Sequence, residues 1–278
     1  MSVAPPKAAG GDSPRLVWRE AQARQGEVLL IRVEGVRRAE AARGTFSGRP
    51  LRFFPLASGA AAVVGIDLAA SPGARPFAVI VTTGAGAPVR LEGRVKVRRR
   101  DFGIERLTLP RDKVELGPET LRRVRREAAR LEAAMAKVTP EPLWQGAFVL
   151  PVSSAQPPAR FGFRRVINGA ARSPHTGADI KAPTGTVVRA ANAGRVTLVD
   201  EQFFAGKLVV LDHGLGVHTM YFHLARQRVR RGQHLRKGEP LGTVGSTGRA
   251  TGAHLHFGVQ VDGARVDPLS LLGLELGS

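Results

Sequence analysis

The sequence predicts a mainly β protein made of two β domains joined by one helix. Short runs rich in Val and Ile, bounded by Gly and Pro, recur along both halves of the chain. Between them, one stretch starting at Pro118 has apolar residues at three- and four-residue intervals. At 278 residues, 43% of them hydrophobic, the chain is long enough for two modest cores.

Residues 1–14, MSVAPPKAAGGDSP, lack an apolar run and read as a flexible tail. Residues 15–116 read as a small antiparallel β-sandwich. Its strands are EVLLIRVEG (27–35), AAVVGIDL (61–68), PFAVIVTTG (76–84) and VRLEGRVKVRRR (89–100). Residues 117–144 read as a helix and a linker. The helix presents Leu121, Val124, Ala128, Leu131, Met135 and Val138 on one face and an arginine-rich, solvated face opposite, and it ends before Thr139-Pro140. From residue 145 to residue 278, strands alternate with glycine turns, as in a compact β-sandwich or barrel-like domain.

Composition narrows the chemistry. With no Cys, disulfides and thiolate metal sites are excluded, so a metal must be held by His, Asp or Glu. The net charge of +19 is spread over the chain: residues 151–278 carry 16 Lys+Arg against 8 Asp+Glu, and the remainder 26 against 15. Such a field favours anionic partners. One Tyr and two Trp do not make a base-stacking platform, so nucleic acid is not the expected partner. No run approaches the roughly 18–20 apolar residues of a membrane span, and the N-terminus shows no signal-peptide core.

The stretch ATGAHLHFGV (250–259) places two of the seven histidines, His254 and His256, on one face of a strand, with Leu255 and Phe257 on the other. HTGAD adds His175 and Asp179. Two His and one carboxylate make a three-ligand zinc site with a fourth position open, the catalytic arrangement. Spacing does not say which member of the pair binds metal. MYFHL adds His223, with Tyr221 expected on the same strand face and Met220 and Phe222 on the other. Without HExxH there is no helical glutamate base, so histidines must move the proton. Asn168 and Arg172 precede HTGAD and, with Tyr221, are expected to line a substrate cleft. Gly242, Gly245, Gly248 and Gly252 lack a following GK[ST] and read as turns that let a substrate backbone approach. His213, His218 and His234 read as structural or solvated.

HTGAD, MYFHL and GSTGRATGAHLHF, in this order, resemble the lysostaphin-like, LytM-type zinc metalloendopeptidases that cut the peptide part of bacterial peptidoglycan. The likeness covers roughly residues 162–268 and includes GTVVRAANAGRV, VVLDHG, RRGQHLRKGEPLG and VDP. The first half also resembles the small β domain that precedes the catalytic domain in some envelope members. The resemblance implies a catalytic domain of the duplicated hybrid motif type at 145–278. It implies one Zn2+ on His175, Asp179 and His256, with His223 and His254 as unligated catalytic residues. Gly258 departs from the family, many members of which have Glu after HLHF.

The implied function is zinc-dependent hydrolysis of peptide bonds in peptidoglycan stem peptides or cross-links. Its rivals are a catalytically inactive cell-wall-binding regulator of another hydrolase and a basic nucleic-acid-binding β protein. The implied setting is the periplasm or the outside of the cell, inferred from the substrate. The expected partners are peptidoglycan and other anionic envelope polymers, with no nucleic acid and no transmembrane segment, and the protein is expected to be a monomer.

Overall fold

The computed structural model describes residues 13–36, 38–82, 87–110, 114–154 and 156–276. The expected tail, residues 1–14, lies outside them apart from Ser13 and Pro14. The first part of the chain forms β1 (Arg15–Leu16), β2 (Glu20–Arg24), β3 (Val28–Glu34), β4 (Ala42–Phe46), β5 (Arg49–Leu51), β6 (Phe53–Leu56), β7 (Gly59–Gly65), β8 (Gly73–Val81) and β9 (Val89–Arg98). One sheet runs β1-β3-β7-β6 and the other β2-β9-β8-β4-β5. They are antiparallel except where β2 pairs with β9.

Strand β9 shows why the outer sheet forms: Leu91, Val95 and Val97 turn inward while Arg90, Glu92, Arg94 and Lys96 face water. In β7, residues Ala60 to Val64 are all buried, because both faces of its sheet are covered. Ala62 and Val64 pack with Ile31 and Val79 inside the sandwich, whereas Ala61 and Val63 join Leu30 and Phe54 in the core of the C-terminal half. Phe54 meets Trp144 edge-on, with ring centroids 5.2 Å apart.

The chain then forms β10 (Ile104–Leu107) and α1 (Pro118–Ala136). Strand β10 leaves the sandwich and pairs in parallel with the first of the C-terminal strands. Gly117 caps α1, with Pro118 at its first turn, where a missing N–H costs nothing. Leu131 and Met135 pack onto the C-terminal sheet, while Leu121, expected on the apolar face, is exposed. Glu127 is buried because its carboxylate accepts the Phe203 N–H at 2.8 Å and pairs with Arg123.

The C-terminal half comprises β11 (Arg164–Ile167), β12 (Ala170–Arg172), β13 (Gly177–Lys181), β14 (Val187–Arg189), β15 (Gly194–Gln202), β16 (Gly206–Asp212), β17 (Val217–Gln227), β18 (His234–Leu235), β19 (Pro240–Val244), β20 (His254–Val261), β21 (Ala264–Val266) and α2 (Pro268–Leu272). Its large sheet runs β13-β20-β17-β16-β15-β18, with β14, β19 and β21 attached beside it. Strands β16 and β17 are buried on both faces: Val209, Leu211 and Tyr221 enter the main core, and Leu208, Val210 and Met220 lie under α1.

Candidate active site

The antiparallel register of β13 and β20 sets Asp179 opposite His256 and Lys181 opposite His254. Strand β17 flanks β20 on its other side, with Phe222 opposite His256. Phe222 stacks on the His256 ring at 5.2 Å between centroids, with 9° between planes. His175 sits in the loop before β13, where its backbone bonds both Gly162 and Phe163.

Three donor atoms converge. His175 Nε2 lies 2.7 Å from His256 Nδ1 and 3.1 Å from Asp179 Oδ1, and His256 Nδ1 lies 3.2 Å from Asp179 Oδ1. His175 donates its Nδ1 hydrogen to Arg160 O at 3.0 Å, which leaves a lone pair on Nε2. Arg160 has a positive φ of 76°, a conformation that aims this carbonyl at the ring. Metal–ligand distances of about 2.1 Å at tetrahedral angles put donor atoms roughly 3.3 Å apart. The trio, two ring nitrogens and one carboxylate oxygen, is close to that spacing, so the donor set fits a cation.

Burial acts to raise the Asp179 carboxyl, but hydrogen bonds to His175 and His256 outweigh it and hold the group well below the usual carboxylate range. Burial pushes His256 down to about 4, in spite of its hydrogen bond to Asp179. The His256 ring is therefore neutral near pH 7 and available as a ligand.

Two further imidazoles face the trio. His223 lies with its ring centroid 4.8 Å from that of His254 and 6.0 Å from that of His256. Each donates its Nδ1 hydrogen to a carbonyl, His223 to Thr247 O and His254 to Gly252 O, both at 2.9 Å, which leaves Nε2 as the ring nitrogen not engaged by these carbonyls. His254 Nε2 is 3.6 Å from Asp179 Oδ1. Burial first, then His256 and His254, push His223 down to about 3, which keeps it neutral.

Two lobes of one cleft meet at this centre, with Arg160, Asp179, Thr251 and His254 lining both. One lobe runs toward α1 and β10 past Leu131, Glu105 and Arg249. The other runs past Ser154, Lys181, Pro183 and Ala253.

Of the expected cleft residues, Tyr221 is corrected: it is fully buried in the core, its hydroxyl accepting the Ala191 N–H at 2.9 Å. The strand alternation that paired it with His223 breaks at a bulge in β17, where His223 takes a φ of 64°, so Phe222 and His223 both line the cleft. Asn168 does not line the cleft either; its side-chain amide clamps the Leu109 N–H and C=O, both at 2.9 Å. Arg172 is exposed on β12, opposite Arg165, and is not among the residues that line the cleft. The glycine reading also changes. Added Cβ atoms at Gly242, Gly245 and Gly248 would lie within 2.5 Å of the chain's own backbone, so these residues serve internal packing and not a substrate. At Gly258 the room for a larger side chain is taken by Met220, whose Cε would be 3.0 Å from a Cβ.

His213 and His218 are buried and His234 is exposed. Sequence reading missed Glu105, Phe222 and Arg249 in the cleft wall: Glu105 lies outside the quoted motifs, Phe222 was expected on the opposite strand face, and Arg249 was given no role within GSTGRATGAHLHF.

Residues 173–268 match the family described as Peptidase family M23. Over 97 residues the chain is 43% identical to the DD-carboxypeptidase/endopeptidase Mpg of Neisseria meningitidis, a stretch covering 35% of this chain and 22% of the relative. It is also 38% identical over 97 residues to the peptidoglycan DD-endopeptidase ShyA of Vibrio cholerae, covering 35% of this chain and 23% of the relative. The match thus spans under a quarter of these curated relatives. A crystal structure from Pseudomonas aeruginosa, described as a peptidase M23, superposes with a TM-score of 0.68 at 32% identity, covering 90% of this chain and 94% of that one. With that chain covered almost whole at 32% identity, the chain belongs to peptidase family M23.

Proposed function

We propose that this protein is a zinc-dependent endopeptidase that hydrolyses peptide bonds in the stem peptides or cross-links of peptidoglycan, working in the periplasm or outside the cell. The observation that carries the reading is the convergence of His175, Asp179 and His256 on one point, with the free Nε2 atoms of His223 and His254 facing it. The names of the relatives, which are DD-endopeptidases, supply the substrate class.

His175, Asp179 and His256 would hold the ion, which when bound supplies Lewis acidity to the scissile carbonyl and to water. The chain's own part is to position and to move protons. Arg160 O fixes the His175 tautomer, Phe222 fixes the plane of the His256 ring, and Thr247 O and Gly252 O keep the other two imidazoles as Nε2 acceptors. One of these rings accepts a proton from the attacking water and, once charged, donates it to the leaving amine. The other donates to or accepts from the tetrahedral oxygen according to its protonation. A cleft with lobes meeting at the centre suits a chain that continues on either side of the bond.

The test is amine release from purified sacculi by the native chain, the chain with chelator and His256→Ala, with zinc measured on each. About one zinc per chain, and cleavage lost with it, supports the reading. A chain that takes up no zinc, or a zinc-loaded chain that frees no amine from any sacculus, overturns it.

A further inference from the structure

We propose that the α1-side lobe of the cleft binds a substrate carboxylate close to the scissile bond, held by the guanidinium of Arg249 with Arg165 and Arg172 beside it. The inference rests on the peptidase reading and adds the chemical group its substrate must present.

Arg249 is a built feature of the cleft. Its guanidinium carbon stands 4.1 Å from the centre of the Phe204 ring, and its backbone N–H donates to Phe204 O at 2.9 Å. The preceding Gly248 has a φ of 74°, and an added Cβ there would be 2.3 Å from Gly206 N, so this loop lies flush on the turn that carries Phe204. Thr247 locks the loop further, with its hydroxyl oxygen accepting the Lys207 N–H at 2.9 Å and donating to Leu224 O at 2.8 Å.

The acidic groups that line this lobe are already engaged, Glu127 with Arg123 and Asp179 with His175 and His256. Arg165 and Arg172 stand directly opposite each other in the β11–β12 register, a placement that is unfavourable for like charges. Glu105 is shared between Arg160 at 2.7 Å and Arg165 at 3.1 Å. Among the described residues Arg172 and Arg249 have no acidic partner. Burial, then the charges of Arg165 and Arg172, push the Arg249 guanidinium below its ordinary range. A half-buried cation left unpaired is costly, and an arriving anion offsets that cost. The planar fork of arginine matches a carboxylate with two parallel hydrogen bonds. Arg165 and Arg249 line the same lobe as His223, His254 and His256, so the anion would sit beside the reacting bond.

The carboxylate has two sources in a peptide: the free C-terminus of the residue that leaves, or a side-branch carboxylate on a residue next to the bond. The test uses the zinc-loaded full chain and three probes: N-acetyl-D-alanyl-D-alanine, its C-terminal amide, and an amidated peptide with a side-chain carboxylate next to the scissile bond. Dissociation constants are measured by calorimetry, and kcat/KM where cleavage occurs.

At least one acid probe should be favoured over the plain amide by about tenfold or more. That ratio should fall toward one in Arg249→Gln, fall by a smaller factor in Arg172→Gln on the exposed strand, and recover in part in Arg249→Lys. Whichever acid shows this dependence identifies the source. An acid preference that survives Arg249→Gln, as direct ligation of the carboxylate to zinc would give, overturns the proposal; so does wild-type protein that does not distinguish acid from amide. Arg249-dependent binding without cleavage of any probe or sacculus would leave the carboxylate site standing and sink the peptidase reading.

Discussion

Thr247 O accepts the Nδ1 hydrogen of His223 at 2.9 Å, so a backbone carbonyl decides which nitrogen of that ring faces the cleft. Since the ring does not touch the trio's donor atoms, proton transfer and metal retention should separate. His223→Ala is expected to lower kcat by about 10²–10⁴-fold, with the zinc content unchanged by metal analysis. Loss of zinc together with activity would instead place His223 among the ligands.

Gly177 leaves room for the neighbouring ligand. A Cβ there would stand 2.5 Å from His256 Nε2, against ring atoms that Phe222 also confines. Gly177→Ala should therefore displace His256 and weaken zinc binding by about 10–100-fold. Competition against a chromogenic chelator measures this, while an unchanged circular dichroism spectrum shows that the fold is kept.

His213 gives a pH dependence away from the metal centre. Its Nδ1 hydrogen goes to Ala193 O and its Nε2 lies 2.7 Å from the Thr219 hydroxyl, and burial pushes it from 6.5 down to about 4. A depressed histidine pKa means the unfolded chain binds the proton first. The contribution is therefore fully present above pH 6.5 and lost as pH falls from 6.5 to about 4. The loss is on the order of 3 kcal/mol. Urea unfolding of chelator-treated protein at pH 7 and pH 4.5 should show a smaller drop for His213→Asn than for wild type. Equal drops would assign the sensitivity elsewhere.

The two halves should unfold together. Phe54 belongs to the first half and packs on Trp144 of the segment leading into the second, so Phe54→Ala should cost about 3–5 kcal/mol. Calorimetry should show one transition in both proteins, at lower temperature in the variant. A second, unshifted transition would mean that the halves are thermodynamically separate.

Adsorption to the cell wall should follow charge. With a net charge of +19, binding to anionic sacculi should weaken as ionic strength rises and the Debye length falls to about 3 Å near 1 M salt. A binding isotherm that does not respond to salt would remove the electrostatic account.

Much of the centre could be read from local spacing. Period-two alternation holds in β20, so His254 and His256 share a face and Leu255 and Phe257 enter the core. HTGAD brings its carboxylate opposite His256 because β13 and β20 are antiparallel neighbours. The same rule failed in β17, where a bulge and a left-handed residue turn His223 to the side of Phe222 and leave Tyr221 in the core. Local patterns were also blind to partners brought together by topology. The parallel pairing of β10 with β11, 60 residues apart (104 with 164), puts Glu105 beside Arg160 and Arg165. The Arg160 carbonyl that orients His175 belongs to the backbone, which a side-chain motif does not record.

Strand β7 is covered on both faces, and the covering residues come from either side of the connecting segment. Hydrogen bonds reinforce this attachment: Val28 N–H to the Ser270 hydroxyl at 2.7 Å, and Asp267 N–H to Gly26 O at 2.7 Å. Cutting the polypeptide between the halves would thus break its covalent continuity without releasing either piece. A nicked preparation would elute as one particle of unchanged size and resolve into two bands only after denaturation. Cleaving the connecting segment and separating the two halves are, for this architecture, different events.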